Sequence, residues 1–299
     1  MSILPTITTK RFLVLSLASF LIGLILLSGL QNVRAQEEDQ ATPTETPIFN
    51  FDKALTDYEY SYNQYRQAHL QYETAKKAYL KFGTLNSKNE AQEKTALMLR
   101  LRDETIRTYL TALRLKLADV TEIDDYNLNL FYLKLDDEVL WYQGHINDFR
   151  SAGTLEDLLT LAKASEEKYN SQSLSVAYQV LHGIINYKVA QNTDQVEAQT
   201  KVIKTKLNQI KQAGDKDVTL AERWLLEAEN RLAWSQEKQV QSQVEIDEID
   251  QQRYGYSNKR DKRKTSFYQA RFLLEEAQQY LKETNSYLLE VIREIKNAD

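Results

Sequence analysis

From Ile48 to its last residue, Asp299, the chain contains no proline; the three it has are Pro5, Pro43 and Pro47. Proline inside a helix removes a backbone donor and clashes with the preceding turn, at a cost of about 3 kcal/mol. Its absence over so long a stretch points to long, uninterrupted helices. Gly83, Gly153, Gly214 and Gly255 fall where apolar periodicity lapses, as glycines do just past helix ends. Ser87 with Glu90 and Thr219 with Glu222 have capping-box spacing, and Thr121 with Asp124 and Thr154 with Asp157 are shorter-armed versions. Helices are therefore predicted near 50–82, 88–119, 122–151, 155–213, 220–253 and 266–297. The fourth is read as one long helix, because Val189, Val196, Ile203 and Ile210 hold a single phase across it. Gly183 and Asn192 are the positions where it would kink or split.

Apolar residues recur with a period of 3.5. In the first helix Phe51, Tyr58, Tyr65, Tyr72 and Tyr79 form a large row beside Ala54, Ser61, Ala68 and Ala75. The last helix repeats the scheme, with Phe267, Leu274, Leu281, Leu288 and Ile295 beside Ala270, Ala277, Thr284, Val291 and Ala298. Such seams face one partner along their whole length, and short connections make successive helices antiparallel. The expected fold is all-α: an elongated antiparallel bundle of coiled-coil hairpins, about six long helices, with about 30 residues or roughly 45 Å as the usual length. Polar Ser235, Gln239 and Ser242 interrupt the seam of the helix predicted at 220–253, marking either a register device or an entry point for a partner helix or water.

Residues 1–35 form a separate segment. Phe12–Leu30 is uncharged, with Lys10 and Arg11 before it and Arg34 after it. The charge bias places the N-terminus in the cytoplasm and the rest of the chain outside. The segment is either a cleaved signal peptide or a retained membrane anchor; small Val33 and Ala35 favour cleavage after Ala35. Residues 36–47, QEEDQATPTETP, read as a flexible acidic tether to a helical body at 48–299. Cleavage removes three of the 38 basic residues and no acid, leaving 35 against 43 and a net charge of −8, which weighs against a nucleic-acid partner. With no cysteine, the exported chain has no disulfides.

No catalytic, metal or cofactor site is expected. His69, His145 and His182 have no second histidine at ligand spacing, and neither a nucleophile elbow nor a phosphate loop occurs. Residues 244–250, VEIDEID, read as an amphipathic helix with a solvated acidic face. Two surface features stand out. Lys259, Arg260, Lys262, Arg263 and Lys264, taken as a loop at a hairpin tip, are candidates for contact with anionic lipid, an acidic wall polymer or an acidic partner. Tyr60 and Tyr62, off or at the border of the aromatic row, are candidates for exposed contact, whereas Tyr58, Tyr65 and Tyr72 are read as seam residues with hydroxyls reaching solvent. The expected function is that of a non-catalytic exported scaffold, spacer or interaction module, with a protein partner or self-association through its helices. The alternatives are a lipid-binding protein using 259–264, or an enzyme whose carboxylates and tyrosines come together across helices.

Overall fold

The computed structural model describes residues 50–120, 125–214, 217–251 and 259–297. The expectations for residues 1–47, Thr121 with Asp124, and Gly255 lie outside them. The body is all-α: α1 (Phe51–Phe82), α2 (Leu85–Ala118), α3 (Asp125–Ser151), α4 (Leu155–Lys168), a π-helical turn (Tyr169–Ser173), α5 (Leu174–Ala213), α6 (Thr219–Gln251) and α7 (Lys259–Asn297).

The ends follow local chemistry. Gly83 and Gly214 take left-handed conformations, with φ of 60° and 74°, and terminate α1 and α5. Thr154 and Asp157 form a full capping box at the start of α4. Two other caps sit elsewhere than predicted. Thr84, not Ser87, caps α2, its side chain accepting from the Ser87 N–H at 3.2 Å. Asp217 accepts from the Thr219 N–H at 2.9 Å, leaving Thr219 as the first residue of α6. The largest boundary difference is in α7, which starts at Lys259 and turns most of the expected basic loop into its first two turns.

Cross-helix contacts give the topology. Phe51 and Tyr58 of α1 meet Lys116 and Tyr109 of α2, so this pair is antiparallel. Along α2, Gln92, Asp103 and Arg114 meet Gly153, His145 and Asp136 in turn, running α3 back along it. Lys204–Glu229 and Lys211–Glu222 set α6 antiparallel to α5. Arg231–Glu283 and Lys238–Glu276 set α7 antiparallel to α6. The seams predicted for α1 and α7 are buried: Tyr58, Tyr72, Ala54, Ala68 and Ala75 in one, Phe267, Leu274, Leu281, Leu288, Ala270 and Ala277 in the other.

Between these hairpins, α4, the π-turn and α5 run as one helical course of 14, 5 and 40 residues, roughly 90 Å at the α-helical rise. Continuity holds through Gly183 and Asn192; the irregularity lies instead at Tyr169–Ser173, where the Leu174 N–H reaches back to the Tyr169 carbonyl. Gly183 is needed for a close approach. A Cβ there would lie 2.9 Å from the Phe131 ring of α3. Gly183→Leu is therefore expected to lose about 1–3 kcal/mol of stability by overpacking, while the exposed Asn192→Ala stays within about 0.5 kcal/mol; urea unfolding midpoints check both.

Candidate functional site

Four regions hold the chemistry worth testing for function: two buried polar nodes, the tyrosine seam and the basic start of α7.

The first node surrounds the π-turn. The Asp103 carboxylate on α2 is fully buried. One oxygen accepts from Ser165 Oγ of α4 at 2.6 Å and from Arg102 Nε at 3.3 Å, and the other pairs with His145 Nδ1 of α3 at 2.7 Å. The His145 ring stacks on Trp141, with centroids 4.5 Å apart, and meets the Phe149 ring edge-on. Two turns along α3 from His145, Glu138 lies within the same interior. It accepts from Ser173 Oγ at 2.6 Å and pairs with Lys168 Nζ at 2.8 Å. Because the Ser173 proton goes to Glu138, the Tyr142 hydroxyl, 3.0 Å from Ser173 Oγ, is the donor in that contact. Burial raises the Tyr142 phenol well above its usual range, keeping the proton this chain needs.

This node has the residue types of a catalytic triad in another order. In a triad the imidazole takes the serine proton and the carboxylate orients the imidazole. Here Asp103 lies between, bonded to both Ser165 and His145, so neither is placed to activate the other. The remaining imidazole nitrogen, His145 Nε2, is buried with no hydrogen-bond partner among the described residues. The arrangement is a clamp holding α2, α3 and α4 together.

The second node answers the question raised by the polar seam of α6. Ser242 is buried and donates to the Ala270 carbonyl of α7 at 2.8 Å, leaving its oxygen to accept from His182 Nε2 of α5 at 2.7 Å. Gln239 donates to Thr193 Oγ1 of α5 at 2.8 Å. The seam is filled by α5 and α7, and its polar residues bond across it. Burial lowers the His182 pKa to about 4.

The tyrosine seam is drier than its sequence suggests. Tyr58 is 3% exposed and stands edge-on to Tyr109 of α2 at 5.6 Å. Both phenols are pushed up by burial, and neither hydroxyl has a hydrogen-bond partner among the described residues. The expectation of solvent-reaching hydroxyls fails for Tyr58 and Tyr72, whose hydroxyls are buried because α2 covers the row. His69 lies edge-on between Tyr65 and Tyr72. Tyr60 points outward at 66% exposure, while Tyr62 is half-buried and stacked on Tyr58.

The five basic candidates do not form one surface. Arg263 is buried, with Nη1 donating to Ser175 Oγ of α5 at 3.1 Å, which removes it from surface contact. Lys262 and Lys264 are exposed, Lys264 lying over the Tyr268 ring. The side chains of Lys259 and Arg260 lie outside the described residues. In the acidic stretch Ile246 and Ile249 are buried, while Asp247 and Glu248 face solvent. Among the described residues no three His, Asp or Glu side chains are grouped for a metal ion, and no helix is long and apolar enough to cross a membrane. An open groove of about 360 Å³ lined by Lys201, Val202, Thr205, Lys206 and Gln209 belongs to α5 alone.

Both nodes make testable demands on stability. Asp103→Asn replaces one accepting oxygen with an N–H donor facing groups that themselves donate, and is expected to cost about 3 kcal/mol in chemical denaturation at neutral pH. For His182, the unfolded chain takes up a proton below about pH 6.5, the folded chain only near pH 4. Stability from the neutral ring is thus present above pH 6.5 and is lost as pH falls towards 4, by about 3 kcal/mol. Denaturation midpoints followed from pH 7 to pH 4 should show that loss, and His182→Gln should remove it.

No family model, no curated protein and no solved structure matches this chain.

Proposed function

We propose that the helical body acts outside the cytoplasmic membrane as a non-catalytic spacer and interaction module, either released by cleavage after Ala35 or held by residues 12–30. The observation that carries this reading is the continuous course of α4, the π-turn and α5. It is roughly 90 Å long, with α2 and α3 packed along its first part and α6 and α7 along it from about Ser175 onward. A helical course of that length, shared by both groups, fixes the separation of whatever its ends contact. The absence of a route from Ser165 to His145 supports the non-catalytic part, since the carboxylate holds both. Outward-facing apolar side chains such as Tyr60, Leu226, Val240 and Val244 are available to a protein partner or a second copy.

Protease treatment of intact native cells or spheroplasts, followed by N-terminal sequencing of the isolated protein, tests the reading. The body should be digested without lysis, with a mature chain starting at Gln36 or, for a retained anchor, at the original N-terminus. Protection until the cells are lysed would contradict it.

A further inference from the structure

The α1–α2 turn carries a surface that the spacer reading leaves without a role. Between Glu73 and Glu90 the sequence TAKKAYLKFGTLNSKN has four lysines, Lys76, Lys77, Lys81 and Lys88, and no acid, in a chain of net charge −5. At its centre Leu80, Phe82 and Leu85 are 59%, 62% and 75% exposed. The connection between the helices is only Gly83 and Thr84, and both are fixed. The Gly83 N–H bonds the Tyr79 carbonyl at 2.9 Å in a left-handed cap, and Thr84 Oγ1 caps α2. The tip is thus built to present three large apolar side chains to solvent, with Lys81 Nζ lying 5.0 Å from the Phe82 ring centre.

The tip also projects. The α3–α4 turn meets α2 at Gln92, through the Gly153 carbonyl. That contact is two turns behind Leu85, leaving a tip about 10 Å long, close to the depth at which interfacial apolar groups sit in a bilayer surface. The α5–α6 turn differs, since Asp215 and Asp217 flank its one lysine, Lys216.

We propose that the α1–α2 tip docks on an anionic lipid surface, with Leu80, Phe82 and Leu85 entering the headgroup region and the four lysines lying against the lipid charge. Apolar wedge and basic rim together match an anionic interface; four lysines against the one acid Glu90 also disfavour a basic partner. This goes beyond the spacer reading and does not depend on export, so each fails separately.

The absence of cysteine allows a single reporter in the full-length chain. Phe82→Cys and, as control, Asp217→Cys are labelled with an environment-sensitive fluorophore and mixed with nitroxide-lipid vesicles. One set contains about 30% phosphatidylglycerol in phosphatidylcholine; the other is phosphatidylcholine alone. The label at 82 should be quenched by the anionic vesicles at least fivefold more than the label at 217. It should lose most of that quenching in neutral vesicles or at high salt. Adding Lys76→Gln, Lys77→Gln, Lys81→Gln and Lys88→Gln, or Leu80→Ser with Leu85→Ser, should reduce vesicle quenching about tenfold. Equal quenching at 82 and 217, equal quenching by both vesicle types, or none at 82 would overturn the proposal; the last result leaves an acidic protein groove as the occupant. These comparisons need only the two labelled chains, whose substituted side chains are exposed or in a surface turn.

Discussion

A carboxylate taken out of water must be met by donors, and Asp103 finds them on its own helix and on two others. Heptad seams alone leave a freedom that this removes. A helix slid by seven residues along its partner buries much the same apolar area, so large-and-small rows choose a face without choosing a register. A slid α3 would strand His145 and leave Asp103 without its partner, at a cost of several kcal/mol. Glu138 does the same two turns away, with Ser173 and Lys168 as its donors. The serine comes from the π-turn, so the irregular backbone supplies one of the side chains that hold it.

The second node works in the other half of the bundle with neutral groups. His182, Ser242 and the Ala270 carbonyl join α5, α6 and α7 in one line of hydrogen bonds. Desolvation keeps the imidazole neutral, so this node needs no counter-charge and responds to acid instead. Between the nodes Tyr178 of α5 stacks on Phe267 of α7 with ring centres 4.4 Å apart. Register is thereby set in both halves, with α5 carrying it from one to the other.

Much of this was legible in the sequence. Proline exclusion and the 3.5 period yield the helices, their partners' faces and the unbroken phase from Val189 to Ile210, because each rests on many residues at once. Single buried polar residues are harder, since an acid on the seam looks like any of the chain's 43 acids until the phase is known. The signal was present: Asp103 continues the row of Leu110 and Leu117, and Glu138 and His145 follow Phe131 at intervals of seven. The π-turn has no comparable signature, because it reflects where tertiary bonds to Glu138 and Tyr142 are made. Charge density alone also misleads at 259–264, where helix continuation turns Arg263 inward to Ser175.

If the buried carboxylates hold the π-turn, α4 and α5 behave as one rod, and backbone amide exchange measures this directly. Amides from Tyr169 to Tyr178 should exchange as slowly as those of Leu158–Lys168 and Val180–Val189, and Glu138→Gln should speed the π-turn before either flank. Fast exchange at Tyr169–Leu174 in the unmodified protein, with both flanks protected, would contradict the account by showing two helices joined at a hinge.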